Sequence, residues 1–282
     1  MKSNLWRTIR RDYGPYLPLS PYLFIVLFPF YWMIITTFKR DNDLYSLTGI
    51  PFWFKEPPTL AHVQLLLRDT LFLVWLKNSL LIGVCVVIVT LALGLPAAYA
   101  LARMRFPGNR AMSTGMFLSY LIPPALLFLP LSQLVRGMGF GDSIWSLVIV
   151  YPSFTVPFCT WLLMGYFRTV PKEVEECAMV DGATRLQALW RIVLPIAVPG
   201  LVCAALFAFT LSWNEFIYAL TFTSSSEQIT ASVGVTTELI RGDIYYWGSL
   251  MAGAVLASVP IVILYVFFLD YYVSGLTAGA IK

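Results

Sequence analysis

Glu175-Glu176-Cys177-Ala178-Met179-Val180-Asp181-Gly182-Ala183-Thr184, running on to Ile192-Val193-Leu194-Pro195, is a polar island between long apolar runs. Pro171 stands where a first helical turn tolerates it, since its missing N–H would be unpaired there anyway. Glu173, Glu175 and Glu176 follow, and acids are favoured near a helix N-terminus. Gly182 can take the left-handed conformation that ends a helix. Thr184 with Gln187 has the spacing of a capping box, so a second helix is predicted to start there. Leu186, Leu189, Trp190 and Val193 recur at helical spacing and give that helix an apolar face. Two short helices meeting at a glycine, with charge on their faces, form a protrusion suited to a partner's groove.

The flanking runs set the class. The chain has 282 residues, of which 59% are hydrophobic and 12% charged, and its mean hydropathy is +0.75. Soluble domains carry about 25% charged residues. Apolar runs of about 20 residues mark membrane-spanning helices, because a helix satisfies its own backbone across about 30 Å of hydrocarbon. Six are read, at about 17–38, 78–101, 113–134, 143–165, 196–219 and 248–270. The expected fold is an all-α integral membrane protein. An N-terminal arm (1–16) precedes the membrane domain (17–272), the loop at about 170–195 interrupts that domain, and a tail (273–282) follows it.

Orientation follows from Lys and Arg. Lys2, Arg7, Arg10 and Arg11 face only Asp12 in the N-terminal arm, and Arg103, Arg105 and Arg110 lie between the second and third spans without an acid. Both termini and the Glu175–Pro195 loop are therefore placed in the cytoplasm. The longer first connection mixes Lys39, Arg40, Lys55, Arg68 and Lys77 with Asp41, Asp43, Glu56 and Asp69, and is placed outside. The first span is too long for a signal-peptide core and is read as retained. The net charge of +4 reflects this bias and gives no reason to invoke nucleic acid. Cys85, Cys159, Cys177 and Cys203 lack C-x-x-C spacing, so neither a disulfide framework nor a metal site is suggested. The single histidine, His62, reads as a surface residue.

Prolines inside the predicted spans include Pro96, Pro123, Pro124, Pro130, Pro152, Pro157, Pro199 and Pro260. Each removes a backbone donor and can bend a helix. Bent helices around a central path are one reading, and ordinary packing is the other. Gly94/Ala98, Ala204/Ala208 and Gly253/Ala257 are small pairs four residues apart, spaced for close helix contact. Trp213, Asn214 and Glu215 lie toward the outer end of the fifth span. An intramembrane carboxylate is a functional candidate by default, and the three groups suit a hydroxyl-rich ligand on a substrate path. The competing reading puts Glu215 at the water interface, capping a helix contact, with Trp213 in the aromatic belt. The connection at about 220–247 reads as a flexible polar loop.

Glu176, Ala178, Gly182, Ile192, Leu194 and Pro195 match, position by position, the EAA loop of ABC-importer membrane subunits, with Cys177 the one departure. Asp181-Gly182-Ala183 resembles the version common in sugar importers. Val273-Ser274-Gly275-Leu276-Thr277-Ala278-Gly279-Ala280-Ile281-Lys282 looks like the tail of the shorter membrane subunit of maltose-type transporters. The resemblance covers nearly the whole chain and implies a type I ABC-importer permease of the carbohydrate class, in a bacterial cytoplasmic (inner) membrane. It implies a second, homologous permease, two ATPase subunits and an extracytoplasmic substrate-binding protein as partners. Glu175, Glu176, Ala178, Asp181, Gly182, Ala183, Leu194 and Pro195 would then couple to the ATPase, and Gly275, Leu276, Thr277 and Gly279 would reach it from the tail. In the maltose-type system most sugar contacts come from the longer subunit, which favours the capping reading of Glu215.

No phosphate-cradling G-x-x-x-x-G-K-[S/T] occurs in the chain, so ATP hydrolysis is expected in the partner subunits. ATP and Mg would bind there, and no cofactor is expected in this chain. An intramembrane enzyme would need clustered ionisable residues, which the spans lack. An amino-acid or metal importer would share the loop, but would not be expected to share the Ser274–Lys282 tail.

Overall fold

The computed structural model describes residues 16–46, 48, 51–241 and 244–277. The N-terminal arm other than Tyr16, the Gly242–Asp243 pair and Gly279 of the tail lie outside the described residues. The elements run α1 (Tyr16–Phe38), α2 (Asp41–Leu44), α3 (Ala61–Arg68), α4 (Phe72–Arg103), α5 (Asn109–Tyr120), α6 (Pro124–Gly137), α7 (Ile144–Val150) and α8 (Pro152–Thr169). After them come α9 (Lys172–Val180), α10 (Arg185–Ile196), α11 (Val198–Trp213), α12 (Ile217–Phe222), α13 (Ala231–Leu239), α14 (Trp247–Phe267) and α15 (Leu269–Thr277). Ile240–Arg241 (β1) and Ile244–Tyr245 (β2) form one short antiparallel pair, which leaves the class all-α.

Among the described residues, four helices are long and apolar enough to cross a membrane, and six are if each of two bent pairs counts as one span. The bent pairs are α5 with α6, at 93°, and α10 with α11, at 80°. The third predicted span is therefore sharply bent, and the fifth begins at a bend. The prolines divide into two groups. Pro123 is the residue before α6, and Pro124, Pro152 and Pro199 occupy the first turns of α6, α8 and α11, where no N–H is missed. Pro96, Pro130, Pro157 and Pro260 lie inside helices.

Contacts sort the chain into two compact units. One holds the residues up to Thr70 with Val235–Ser258, and the other holds Leu71–Gly234 with Val259 onward. In the second unit α4 packs along α8 and α11, and α11 packs on α15. The core sits where α4, α8, α10 and α11 meet, around Ala98, Tyr99, Leu163, Phe167, Val193, Ala204 and Ala208. Small residues set these distances. A Cβ on Gly94 would meet the Thr160 hydroxyl at 3.1 Å, and one on Gly83 would meet the Phe209 ring at 2.6 Å. Without a hydrophobic drive between helices in lipid, such close approach supplies the packing.

Also in this unit, α4 begins by tying down the segment after α12. Trp75 Nε1 donates to the Ser226 carbonyl at 2.7 Å, and Asn78 Nδ2 donates to those of Glu227 and Ile229 at 2.8 and 3.0 Å. The Ala231 amide donates to Ser79 Oγ at 2.9 Å. The loop read as flexible is thus ordered over Ser224–Ala231, because polar side chains of a helix end satisfy its backbone.

In the first unit the segment after α1 folds back on itself. Lys39 donates to the Pro51 carbonyl at 3.2 Å, and Asp43 accepts from the Lys55 amide at 2.9 Å. His62 is not a surface residue. It is buried, with Nε2 2.8 Å from the Lys39 carbonyl. Its ring fills the space a side chain at position 248 would need, since a Cβ on Gly248 would come within 2.3 Å of it.

Candidate functional site

The loop between α8 and α11 follows its local chemistry. α9 starts after Pro171 with Glu173 and Glu175 in its first turn. It ends in a Schellman turn. The Gly182 amide donates to the Met179 carbonyl at 3.1 Å, and the Ala183 amide to that of Ala178 at 3.0 Å. Gly182 has φ +92°, the left-handed value that a side chain disfavours. The predicted capping box is formed: Thr184 Oγ1 accepts from the Gln187 amide at 3.3 Å, and Gln187 Oε1 accepts from the Thr184 amide at 2.9 Å.

α10 is α-helical at both ends and widens to a π-helix over Leu189–Val193. Pro195 explains this. A proline removes one helical bond, and its ring presses on the carbonyl four residues back, here that of Arg191. One extra residue in the turn relieves the crowding, and the Leu194 amide bonds instead to Leu189. Such bulges recur at functional sites.

The two adjacent glutamates face opposite ways. Glu175 is 5% exposed, and Tyr99 donates its hydroxyl hydrogen bond to Glu175 Oε1. Arg103 Nε stands 3.5 Å from Glu175 Oε2, an ion contact rather than a well-formed hydrogen bond. Arg103 Nη2 donates to the Val170 carbonyl at 2.6 Å. Glu175 thus ties α9 to the end of α4. Ala178 lies three residues on, on the same helix face, and is buried like Leu194. Glu176, Asp181, Gly182 and Pro195 are exposed, and Ala183 is half-buried.

The apolar face read for α10 is two faces. Leu189 and Val193 enter the core, whereas Leu186 and Trp190 are 65% and 60% exposed. Val180, at the end of α9, is 86% exposed. The loop therefore has an inner face locked to the unit and an outer apolar face without a partner among the described residues. Tyr99 and Arg103 were missed as members of this site. Arg103 registers in the sequence only as a topological charge, and Tyr99 sits in an apolar run.

The Trp213–Glu215 group does not converge on one surface. α11 stops at Trp213, and α12 starts at Ile217. Across this break the Glu215 carboxylate accepts from the Tyr218 amide at 2.9 Å, the Ala219 amide at 3.1 Å and the Tyr151 hydroxyl at 3.1 Å. It caps α12 from inside the chain, which is the capping part of the competing reading. Trp213 is buried and stacked on Phe209, ring centres 5.3 Å apart. Asn214 alone is exposed. Of the tail residues, Gly275, Leu276 and Thr277 belong to α15. A Cβ on Gly275 would come within 2.8 Å of the Pro199 carbonyl, so α15 and α11 touch closely there.

A second pinned point lies on the loop before α7. Asp142 has φ 53°. Its Oδ1 accepts from the Ser224 and Ser225 amides at 2.6 and 2.9 Å, and Ser225 Oγ donates to its Oδ2. The Ser225 hydroxyl and then these amides hold the carboxyl below the ordinary carboxylate range.

Residues 90–277 match the family described as binding-protein-dependent transport system inner membrane component. The chain is 35% identical to the inner membrane ABC transporter permease protein YcjP of Escherichia coli (strain K12), with 98% of each chain covered. It is 38% identical to the diacetylchitobiose uptake system permease protein DasC of Streptomyces coelicolor, over 92% of this chain and 94% of that one. It is 36% identical to the trehalose/maltose transport system permease protein MalG of Thermococcus litoralis, over 92% of each. A chain of a bacterial ABC transporter that imports the acidic polysaccharide alginate shares the fold, with a TM-score of 0.78 at 22% identity, over 93% of this chain and 97% of that one. A membrane-embedded helical fold, a capped helix-turn-helix with an unpartnered outer face, and these relatives agree: the chain belongs to the inner membrane components of binding-protein-dependent transport systems, and it is a permease subunit of an ABC importer.

Proposed function

We propose that this permease subunit imports a sugar or related polyol, forming half of the translocation path beside a second permease. The carbohydrate class rests on relatives named for diacetylchitobiose and for trehalose and maltose and on the Asp181-Gly182-Ala183 form of the loop. ATP and Mg bind in two partner ATPase subunits, and a binding protein delivers the sugar from outside. Both termini and the α9–α10 loop lie in the cytoplasm, in keeping with the Lys/Arg asymmetry.

The observation that carries this reading is the outer face of Val180, Leu186 and Trp190, all strongly exposed on a protrusion that Glu175 holds from within. Exposed apolar anchors beside a charged rim suit a protein groove. Glu176, Asp181 and Gly182 line that rim, while Glu175, Ala178 and Leu194 act by holding the loop in place. The tail from Gly275 through Gly279 gives the ATPase a second contact. When ATP closes the motors, the docked loops move. Glu175 then passes the motion to α4 through Arg103 and Tyr99, and the spans rock between inward- and outward-facing states.

Copurification of an ATPase with the tagged chain, together with uptake of labelled di- and oligosaccharides in cells carrying it, tests the assignment. Uptake of an amino acid and of no sugar would overturn the carbohydrate class. Single cysteines at Leu186 and Met138, in a background lacking Cys85, Cys159, Cys177 and Cys203, should label from opposite sides, and labelling from one side would overturn the orientation.

A further inference from the structure

We propose that a basic cavity between the end of α4, the start of α5 and the end of α8 binds the phosphate headgroup of an anionic phospholipid. The cavity has a volume of about 1040 Å³, and Arg105, Arg110, Arg168 and Lys172 line it with no carboxylate among them. Arg103 also lines it, but is committed to Glu175 and the Val170 carbonyl. Arg105, Arg110 and Lys172 have no carboxylate within ion-pair distance among the described residues. Arg168 touches only the weak acceptor Sδ of Met164, at 3.5 Å. Like charges gathered around one space repel unless an anion joins them. An adjoining space of about 630 Å³ adds Arg185 to the same wall, with Glu176 as its one unpaired acid.

The backbone beneath these exposed side chains is held in place. Gly108 turns the chain at φ +86°, and Asn109 Nδ2 donates to the Leu101 and Met104 carbonyls at 3.2 and 2.9 Å. The loop bearing Arg105 is thereby fixed to the end of α4. α5 starts at Asn109 with no side-chain cap, and the residues of its first turn line the cavity. Uncapped N–H groups at the positive end of a 12-residue helix favour phosphate.

Phospholipid is favoured over a free anion by the rest of the lining. Phe106 and Leu118 supply apolar wall, and no residue of α5 is buried. The cavity therefore opens onto a helix face that an acyl chain can follow. Basic clusters at the ends of spans recognise anionic headgroups. The inference rests on α8 ending at a membrane surface, which the cysteine-labelling experiment tests separately.

The test uses the full chain, purified with the subunits that accompany it and placed in phosphatidylcholine nanodiscs with traces of fluorescent phosphatidylglycerol. Arg105→Gln, Arg110→Gln and Lys172→Gln are each expected to weaken phosphatidylglycerol binding about fivefold, and the triple variant more. Lys77→Gln with Arg136→Gln, away from the cavity, should leave it unchanged. If the triple variant does not fold, the singles decide. Three singles that bind like the wild type would overturn the proposal. So would displacement of the lipid by inorganic phosphate at equal concentration, which would make the site one for a free anion. Binding to the lone chain that vanishes in the complex would assign the cavity to a protein interface and would equally overturn it.

Discussion

Arg103 Nε lies 3.5 Å from Glu175 Oε2, both side chains almost fully buried, and this contact joins α4, which crosses the core, to α9, which starts the loop between α8 and α11. Removing one partner of a buried pair strands the other charge, at about 3–5 kcal/mol. Glu175→Ala should loosen the loop and abolish uptake while the spans still insert. The measurement is hydrogen exchange over 172–184, expected to rise sharply. Glu175→Gln with Arg103→Met, which leaves no charge stranded, should recover much of the protection. Unchanged exchange in Glu175→Ala would show that the strut does not hold the loop.

The turn at Gly182 gives a sharper test, because a Cβ there would meet nothing within 4 Å and only the φ of +92° is at stake. Gly182→Ala should cost about 1 kcal/mol, and the β-branched Val more. Gly182→Asn should be tolerated better, since Asn accepts left-handed backbone. ATPase copurification and uptake should fall in the order Gly, Asn, Ala, Val. Wild-type behaviour of Val would remove this loop as the dock.

Trp190 and Leu186 are predicted to be docking anchors. Trp190→Ala should lower ATPase affinity at least tenfold, as buried interface aromatics commonly cost about 2 kcal/mol or more. Thermal stability of the isolated chain should not change, since the ring already faces outward. A fall in stability with unchanged affinity would contradict the assignment.

Glu215→Gln keeps one acceptor for α12 and loses the charge that favours a helix start. A stability loss of about 1 kcal/mol is expected, the usual size for a cap. The KM for sugar uptake should stay near wild type. A several-fold rise in KM without loss of stability would instead place Glu215 on the substrate path.

Asp142 predicts a pH dependence. Its folded pKa lies below the ordinary value, so its stabilisation is complete above the unfolded carboxylate value of about 3.9. It is lost as pH falls through the lower folded value. Amide exchange at Ser224 and Ser225 should stay protected from neutral pH down to about 4 and rise only in stronger acid. Asp142→Asn, which tolerates the same backbone, should remove that acid step. The same step in the variant would assign it to another group.

The sequence by itself determined the class, the apolar segments and the chemistry of the loop. These are local or one-dimensional properties. A span must be apolar and helical wherever lipid meets its backbone, because lipid offers that backbone no partner; the sharp bends within the third span and at the start of the fifth were not legible. The Thr184–Gln187 box and the glycine turn involve only neighbours in the chain, and both formed as read.

Tertiary structure decided which way each side chain faces. Glu175 and Glu176 are identical in kind and adjacent, but sit about 100° apart around the helix, so packing against α4 buried one and left the other outside. Leu186 and Leu189 parted in the same way. Glu215 could be read from the sequence as a substrate ligand or as a helix cap, because composition marks only an unusual carboxylate. Its partners, Tyr151 and the first amides of α12, appear only when α8 and the α11–α12 break are brought together. His62 was buried by the absence of a side chain at Gly248, far away in sequence. Where a residue's role depends on what lies across from it, only the folded chain supplies the neighbour.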